Sequence, residues 1–316
     1  WDDDRYVNKN PYIRQITADN LQAVFFGDAK FYMGNYHPLT LLSLAVDFQL
    51  SDTQKVDKDI EYKVNPAIFH LTNLLLHMAT MALVFFMTLH LLNFLKYRKS
   101  GEVALIAAVL FGVHTMHVES VTWISERKDV LHAAFFFGAI LAYQHYLQKK
   151  RMSWLAGSML LFLLSLLSKG QAVSLALVLP ALDWIYNRNL KSPRLWLEKL
   201  PFFALSLVFG LIAVNAQEAT EAIHKDEEFS LFERMIYASY GFTMYLGKLV
   251  WPFELSAIYP YPYSSGNIPA SYSLFFAIPA GYIYLLLRFI KKNPIAAFGL
   301  YFFAANIVFL LQLLPV

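Results

Sequence analysis

Apolar residues fall along the chain in blocks rather than in alternation. From residue 66 onward, sparsely charged runs predict helices near 66–95, 102–118, 130–148, 154–168, 171–187, 200–216, 272–290 and 294–314. Most of these runs approach the roughly 17–25 residues a helix needs to cross bilayer hydrocarbon. Eight spans are therefore expected. The first 65 residues carry no such run. There, ADNLQAVFF (18–26) and NYHPLTLLSLAVDFQL (35–50) are too short or too mixed to span, and they read as interfacial helices, the first capped by Thr17. SLFERMIYASYGFTMYLGKLVW (230–251) has a span's length, but Glu233, Arg234 and Lys248 are awkward in hydrocarbon. A ninth crossing would also move Lys291 and Lys292 to the opposite side. An amphipathic helix on the outer surface is expected instead.

Composition supports the membrane reading. Of 316 residues, 57% are apolar, 16% aromatic and only 16% charged, and mean hydropathy is +0.42, far from an ordinary soluble domain. With no cysteine, disulfides are excluded. The net charge of +3 matters less than where the charges sit. Lys96, Arg98 and Lys99, then Lys149, Lys150 and Arg151, then Arg188, Lys191, Arg194 and Lys199, then Arg288, Lys291 and Lys292 occupy one class of connection, which the positive-inside rule assigns to the cytoplasm. Twenty of the 23 carboxylates fall in the other class, in 1–65, 119–129 and 217–270. The chain thus divides into an outer loop with interfacial helices (1–65), a helical block (66–216), an outer loop with an amphipathic helix (217–270) and two last helices (271–316). Nucleotide-binding glycine loops, HExxH and Ser-His-Asp signatures are missing, as are internal repeats. ATP-driven chemistry is set aside and no nucleic-acid partner is expected. The chemistry belongs at the outer face, on a substrate that meets the outer leaflet.

Three constellations are candidates for that chemistry. Asp2, Asp3 and Asp4 follow one another, so repulsion and partial burial should raise at least one pKa, suiting a general base or a cation ligand; the alternative is a solvated acidic turn. The stretch 114–129, HTMHVESVTWISERKD, places His114, His117, Glu119, Glu126, Arg127, Lys128 and Asp129 at the mouth of two spans. His114 and His117 are one helical turn apart and suit a carboxylate, an anionic ligand or a metal; Arg127 and Lys128 suit phosphate. A hairpin with hydrated, self-neutralising ends is the alternative. Lys169, in LLSKGQAVS, either snorkels or finds an anion such as a lipid phosphate. His70, Asn73 and His77 share one face of the first span and should bond to neighbouring helices. His37-Pro38 approaches the site or only forms a turn, and Tyr259 and Tyr261, in YPYPYSSG, either cover a ligand or anchor at the interface.

WDDDRYVNKNP, GNYHPLT, NPAIFHLTNLLLHMA, HTMHVESVTWISERKDVL and LLSKGQAVSLALVLPALDW, in this order, resemble bacterial relatives of the transmembrane and tetratricopeptide-repeat protein O-mannosyltransferases, in the type C glycosyltransferase superfamily. The resemblance implies an all-α helical bundle in a bacterial inner membrane with its active face outside. It implies transfer of a sugar from a polyprenyl-phosphate lipid to a hydroxyl on an exported protein. Asp2 and Asp3 match the family's acidic pair, with one as base; His117, Glu119, Glu126, Arg127 and Lys128 match its second outer loop; Lys169 matches a phosphate-proximal lysine. Arg234 is added as a donor-phosphate ligand, and His37, His114, Tyr259 and Tyr261 as residues shaping the site. Some superfamily members use a divalent metal; the nearest relatives look metal-independent, and no cofactor is expected here.

The sequence also departs from the family. A span normally precedes the acidic pair, helical repeats and a further outer motif normally follow, and Thr115-Met116 stands where Pro-Leu is common. The chain is therefore expected to be part of a longer protein. A catalytically silent scaffold that docks membrane-complex subunits is the rival reading. A sugar-lipid transporter is disfavoured, because the ionisable residues stop at the outer mouth instead of running through the bilayer.

Overall fold

Helix follows helix through the computed structural model, which describes residues 2–55, 62–219, 229–256, 259–311 and 313. Its one hairpin, β1 (Thr53–Lys55) paired antiparallel with β2 (Tyr62–Val64), is the only sheet among the described residues and was not expected from the sequence. The protein is an all-α polytopic membrane protein. Four helical segments are long and apolar enough to cross a bilayer: Ala67–Phe94, Ile124–Lys149, Pro193–Glu218 and Ala270–Lys292. A fifth candidate, Ser100–Val113 with Thr115–Thr122, bends by 49° at its break. The spans expected at 154–168, 171–187 and 294–314 correspond to shorter apolar helices, Met152–Ser168, Gly170–Ile185 and Pro294–Leu310; residues 312 and 314 lie outside the described residues. The amphipathic segment forms a helix, Leu231–Val250, that is not among the candidate spans.

The chain divides into two units, the first comprising 1–173 with 204–219 and the second 174–203 with 220–316. In the first unit, α1 (Ala18–Phe25) starts at Thr17, whose hydroxyl accepts from Asn20 N at 3.2 Å, and α2 (Pro38–Leu50) starts at a proline that is pre-organised for a first helical turn. These helices enclose a small core of Tyr6, Val7, Ile13, Val24, Leu41, Leu44 and Phe48, to which Phe69 and Ile124 also belong. The segment before Ala67–Phe94 therefore folds against the helical block.

That block consists of α3 (Ala67–Phe94), α4 (Ser100–Val113), α5 (Val118–Thr122), α6 (Arg127–Lys149) and α7 (Met152–Ser168). α6 packs on both α3 and α7. Small polar residues bridge the pairs, as expected where lipid removes most of the hydrophobic gain from helix association: Ser158 donates to the Ala139 carbonyl at 2.8 Å and Gln144 to that of Met87 at 3.2 Å. At Gly112 a Cβ would lie 2.5 Å from Met81 Sδ, so α3 and α4 approach closely there, and His77 Nε2 reaches the Gly112 carbonyl at 3.0 Å.

Two expected boundaries move. The 102–118 helix breaks at His114, whose extended backbone and Nδ1, accepting from Met116 N at 3.2 Å, cap a new turn. Arg127, Lys128 and Asp129 are no loop residues: they form the first turn of α6, where an acidic side chain suits the helix dipole.

The second unit holds α8 (Leu175–Ile185), α10 (Leu231–Val250), α11 (Ala277–Lys292) and α12 (Pro294–Ile307), and α9 (Pro193–Glu218) begins in it. α9 starts seven residues before the predicted position. Arg194 and Lys199 therefore lie in helix instead of loop, and Lys199 is buried, 2.5 Å from Asp183 in α8. Arg188 bridges Asp183 and Glu198 at 3.0 and 2.8 Å. α8 meets α12 through Ser174 and Asn306 (2.9 Å) and through Tyr301, which donates to the Leu177 carbonyl at 3.0 Å. Ser230 and Glu233 form a reciprocal capping box at the start of α10.

Candidate functional site

Residues far apart in sequence meet in the first unit. The acidic run is wound into a helical turn, Asp4–Asn8, with Asp3 just before it. Asp3 Oδ1 accepts from the backbone N–H of Ser125 at 2.7 Å, tying the start of the chain to the turn Ile124–Glu126 that leads into α6. Ser125 is buried, and its hydroxyl has no hydrogen-bond partner among the described residues. Asp2 is exposed. Asp4 does not follow the expected rise in pKa: Lys9 (2.6 Å) and Asn8 (3.1 Å) hydrogen-bond its carboxylate and hold it below the ordinary value. Trp1 lies outside the described residues.

One turn further, the Tyr6 ring packs on His37, with centroids 5.6 Å apart, and lies 5.7 Å from Lys128 Nζ. Burial pushes the Tyr6 phenol up, and nearby Glu126 adds to the effect. Pro38 disfavours the helical region for His37, which adopts φ −144° and ψ 57° as N-cap of α2. Thr40, in the first turn of α2, donates to the Ser168 carbonyl at 2.9 Å and so fixes that turn beside Lys169. His37 is 1% exposed. Burial, reinforced by the Lys128 and Lys169 charges, lowers its pKa to about 3.

Around this point lie two ion pairs. Lys128 Nζ is 2.9 Å from Glu126 Oε1. Lys169 pairs with Asp129, which also accepts from Ser120 at 3.0 Å. Side chains of both pairs are 15–27% exposed, so each lysine is sheltered yet reachable. The anion that Lys169 finds in this structure is thus a carboxylate of its own chain. His132, which the sequence reading overlooked, sits one turn after Asp129 with its Nδ1 2.8 Å from Ser165 Oγ, and Ser165 donates to the His132 carbonyl at 3.0 Å. The i, i+3 spacing of Asp129 and His132 on α6 was the available signal.

Arg127 requires a correction. It was expected to bind phosphate, but its side chain is fully buried and its guanidinium is committed. Nε donates to Asn73 Oδ1, one terminal nitrogen to Ser43 at 2.8 Å, and the other to Asp47 at 2.5 Å and to the Phe69 carbonyl at 2.9 Å. Asn73 also donates to the Val121 and Trp123 carbonyls, both at 3.2 Å, and Thr72 donates to Asp47 at 2.9 Å. Such a fork is well suited to a buried carboxylate, and it clamps α2, α3 and α6 below the site. Asn73 bonds to neighbouring segments as expected, whereas Asp47 and the structural role of Arg127 were not anticipated.

The remaining expected residues disperse. His117 packs at a tilt against Phe111 (4.5 Å) and lies 5.7 Å from His77 and 6.2 Å from His114, a ring cluster of α3, the end of α4 and the turn that follows it. His70, expected to face neighbouring helices, is exposed, as is Glu119. Arg234, Tyr259 and Tyr261 belong to the second unit. There Glu233 accepts from Gly266 N (2.7 Å) and Ser265 (3.2 Å), and Tyr237 donates to the Tyr263 carbonyl (2.6 Å), fastening the Tyr-Pro loop to α10. The Gly266 bond, chiefly, lowers the Glu233 pKa to about 2. Tyr261 packs on Tyr237 at 4.8 Å, and Tyr259 accepts from Ser256 N at 2.7 Å. Among the described residues no three His, Cys, Asp or Glu side chains are grouped as metal ligands.

No protein-family model matches the chain, and no solved structure matches it. Among curated proteins it is 34% identical over 109 residues to mouse protein O-mannosyl-transferase TMTC3, covering 34% of this chain and 10% of that protein. It is 32% identical over 116 residues to human protein O-mannosyl-transferase TMTC4, covering 34% and 14%. It is 25% identical over 243 residues to Caenorhabditis elegans protein O-mannosyl-transferase F38B6.6, covering 74% and 31%. The matched regions thus amount to between a tenth and a third of these relatives' lengths. The chain is a distant homologue of TMTC-type protein O-mannosyl-transferases.

Proposed function

We propose that the chain is the membrane-embedded part of a glycosyltransferase that moves a sugar, of the mannose class, from a polyprenyl-phosphate lipid to a hydroxyl on an exported protein. The observation that carries this reading is the gathering of Lys128 and Lys169 around Tyr6 and His37, with Asp3 bonded to Ser125 in the turn that leads to Lys128, in a chain similar to O-mannosyl-transferases. Lys169 and Lys128 receive the donor phosphate, exchanging Asp129 and Glu126 for it; Arg127 takes no part in binding. The C1–O bond to phosphate breaks, and the polyprenyl phosphate leaves as an anion stabilised by the lysines. The acceptor oxygen forms the new C1–O bond from the opposite face with inversion, and its proton passes to the carboxylate of Asp3 or Asp2. We further propose that this face is extracytoplasmic, in a bacterial inner membrane, from the distribution of basic residues across the connections.

One observation favours a second reading. Both lysines already hold carboxylate partners, as a catalytically silent scaffold would also have. Purified chain in lipid nanodiscs, supplied with a polyprenyl-phosphate hexose and a Ser/Thr peptide, separates the two. Transfer that disappears in both Asp3→Asn and Lys169→Met supports the enzyme. No transfer by the unaltered chain, with the lipid bound or not, supports the scaffold.

A further inference from the structure

Beside Lys128 and Lys169, His37 is a side chain that no described residue satisfies. Both ring nitrogens are buried, and neither has a hydrogen-bond partner among the described residues. Folded proteins rarely leave such atoms unpaired unless a ligand or water uses them. The ring is not there by looseness. Pro38 restricts its backbone, the Thr40 to Ser168 bond pins the following turn, and Tyr6 covers one face.

Its neighbours divide the chemistry. Lysines offer only donors, and the carboxylates of Glu126 and Asp129 offer only acceptors, already turned to the lysines. A phosphate needs donors alone. A sugar hydroxyl both gives and accepts, and the neutral imidazole, like the Ser125 hydroxyl beside Asp3, offers a vacant donor and a vacant acceptor, the imidazole lying against the two lysine charges. Burial and the two flanking ammoniums keep it neutral at working pH.

We propose that His37 reads the sugar: it pairs with a hydroxyl of the donor hexose beside the lysines that hold the phosphate, so the recognised ligand is a glycosylated polyprenyl phosphate and not the bare lipid phosphate. This rests on the transferase reading above and assigns a substrate contact that the reading does not require. Ligand reaches the ring as phosphate replaces the carboxylates on the two partly exposed lysines.

The test is titration of the full chain in detergent with two water-soluble probes, a short-chain prenyl phosphate carrying a hexose and the same prenyl phosphate without it. The unaltered protein is expected to bind the glycosylated probe about five- to tenfold tighter, the worth of one or two neutral hydrogen bonds. His37→Phe brings that ratio close to one and leaves the bare probe's affinity unchanged, whereas Lys169→Met weakens both probes alike. A ratio that survives His37→Phe overturns the proposal and leaves the lysine site standing. If neither probe binds the unaltered chain, the lysine site fails and the sugar contact with it. His37→Gln, which restores a donor and an acceptor, guards against a folding defect: it should recover part of the ratio. Equal loss of both probes in His37→Phe and His37→Gln assigns His37 a purely architectural role and refutes the sugar contact.

Discussion

Asp3 and Ser125 are joined across 122 residues by a 2.7 Å hydrogen bond from a buried main-chain N–H to a carboxylate oxygen. The bond makes the position of Asp3 a property of two loops at once, because moving either one moves its carboxylate relative to the start of α6. It also distinguishes the two carboxylates: Asp3 is fixed, whereas Asp2 is exposed.

Asp3→Asn keeps an oxygen for the Ser125 N–H and removes the basic carboxylate. Thermal unfolding should barely change, while hexose transfer from the lipid donor should fall by about 10²–10⁴-fold, the usual contribution of a general base. Asp2→Asn should lower transfer by less than tenfold. A reversed order, read from initial rates, would exchange the roles of the two residues.

Asp47→Ala leaves the Arg127 guanidinium buried without its counter-charge. Breaking one side of such a pair costs roughly 3–5 kcal/mol, so a marked fall in the melting temperature in detergent and in the yield of folded chain is expected. Arg127→Lys keeps the charge but loses the fork to Asn73, Ser43 and Phe69 and should be intermediate. Donor affinity of whatever folded protein remains should stay near that of the unaltered chain, since the Arg127 guanidinium is fully buried and committed to its own chain.

His37 titrates near 3 when folded and near 6.5 as a free imidazole. Between these values the unfolded chain binds the extra proton, so this residue's contribution to stability is present above about pH 6.5 and is lost as pH falls toward 3. His37→Phe should flatten the stability profile across that window relative to the unaltered chain. Chemical denaturation at pH 7.5, 6 and 4.5 measures it, and parallel profiles would contradict the assignment.

Glu233→Gln removes the charge that closes the α10 capping box and accepts from Gly266 and Ser265. Limited proteolysis of the Tyr-Pro segment should accelerate several-fold, with the first unit's fragments released at an unchanged rate. Cleavage that stays slow would mean that Tyr237, through the Tyr263 carbonyl, holds the loop alone.

Much of the helical plan was legible because apolar length is a strong signal: α3 lies within a residue of its predicted limits, and Thr17 caps α1 as its chemistry requires. Breaks were not legible. His114 ends α4 through a side-chain bond to Met116 N that periodicity does not carry, and the first turn of α6 is polar, so its start was taken for loop. Within the site, Asp3, Lys128 and Lys169 were nominated; Asp3 is bonded to the turn that leads to Lys128, and both lysine charges act on His37, but the partners that define them depend on tertiary structure. Nothing local marks Asp47, and only contact with Asn73 and Asp47 distinguishes Arg127, a clamp, from Lys128, its immediate neighbour.

The Arg127 clamp also constrains the order in which this protein is built. Its cation heads a candidate bilayer helix, while its counter-charge resides on α2, a segment synthesised some eighty residues earlier. Because α2 and α3 both precede that helix in the chain, Asp47 and Asn73 exist before Arg127 is made. The acid thus comes before its cation, and a chain in which α2 fails to seat leaves the Arg127 guanidinium buried without its counter-charge.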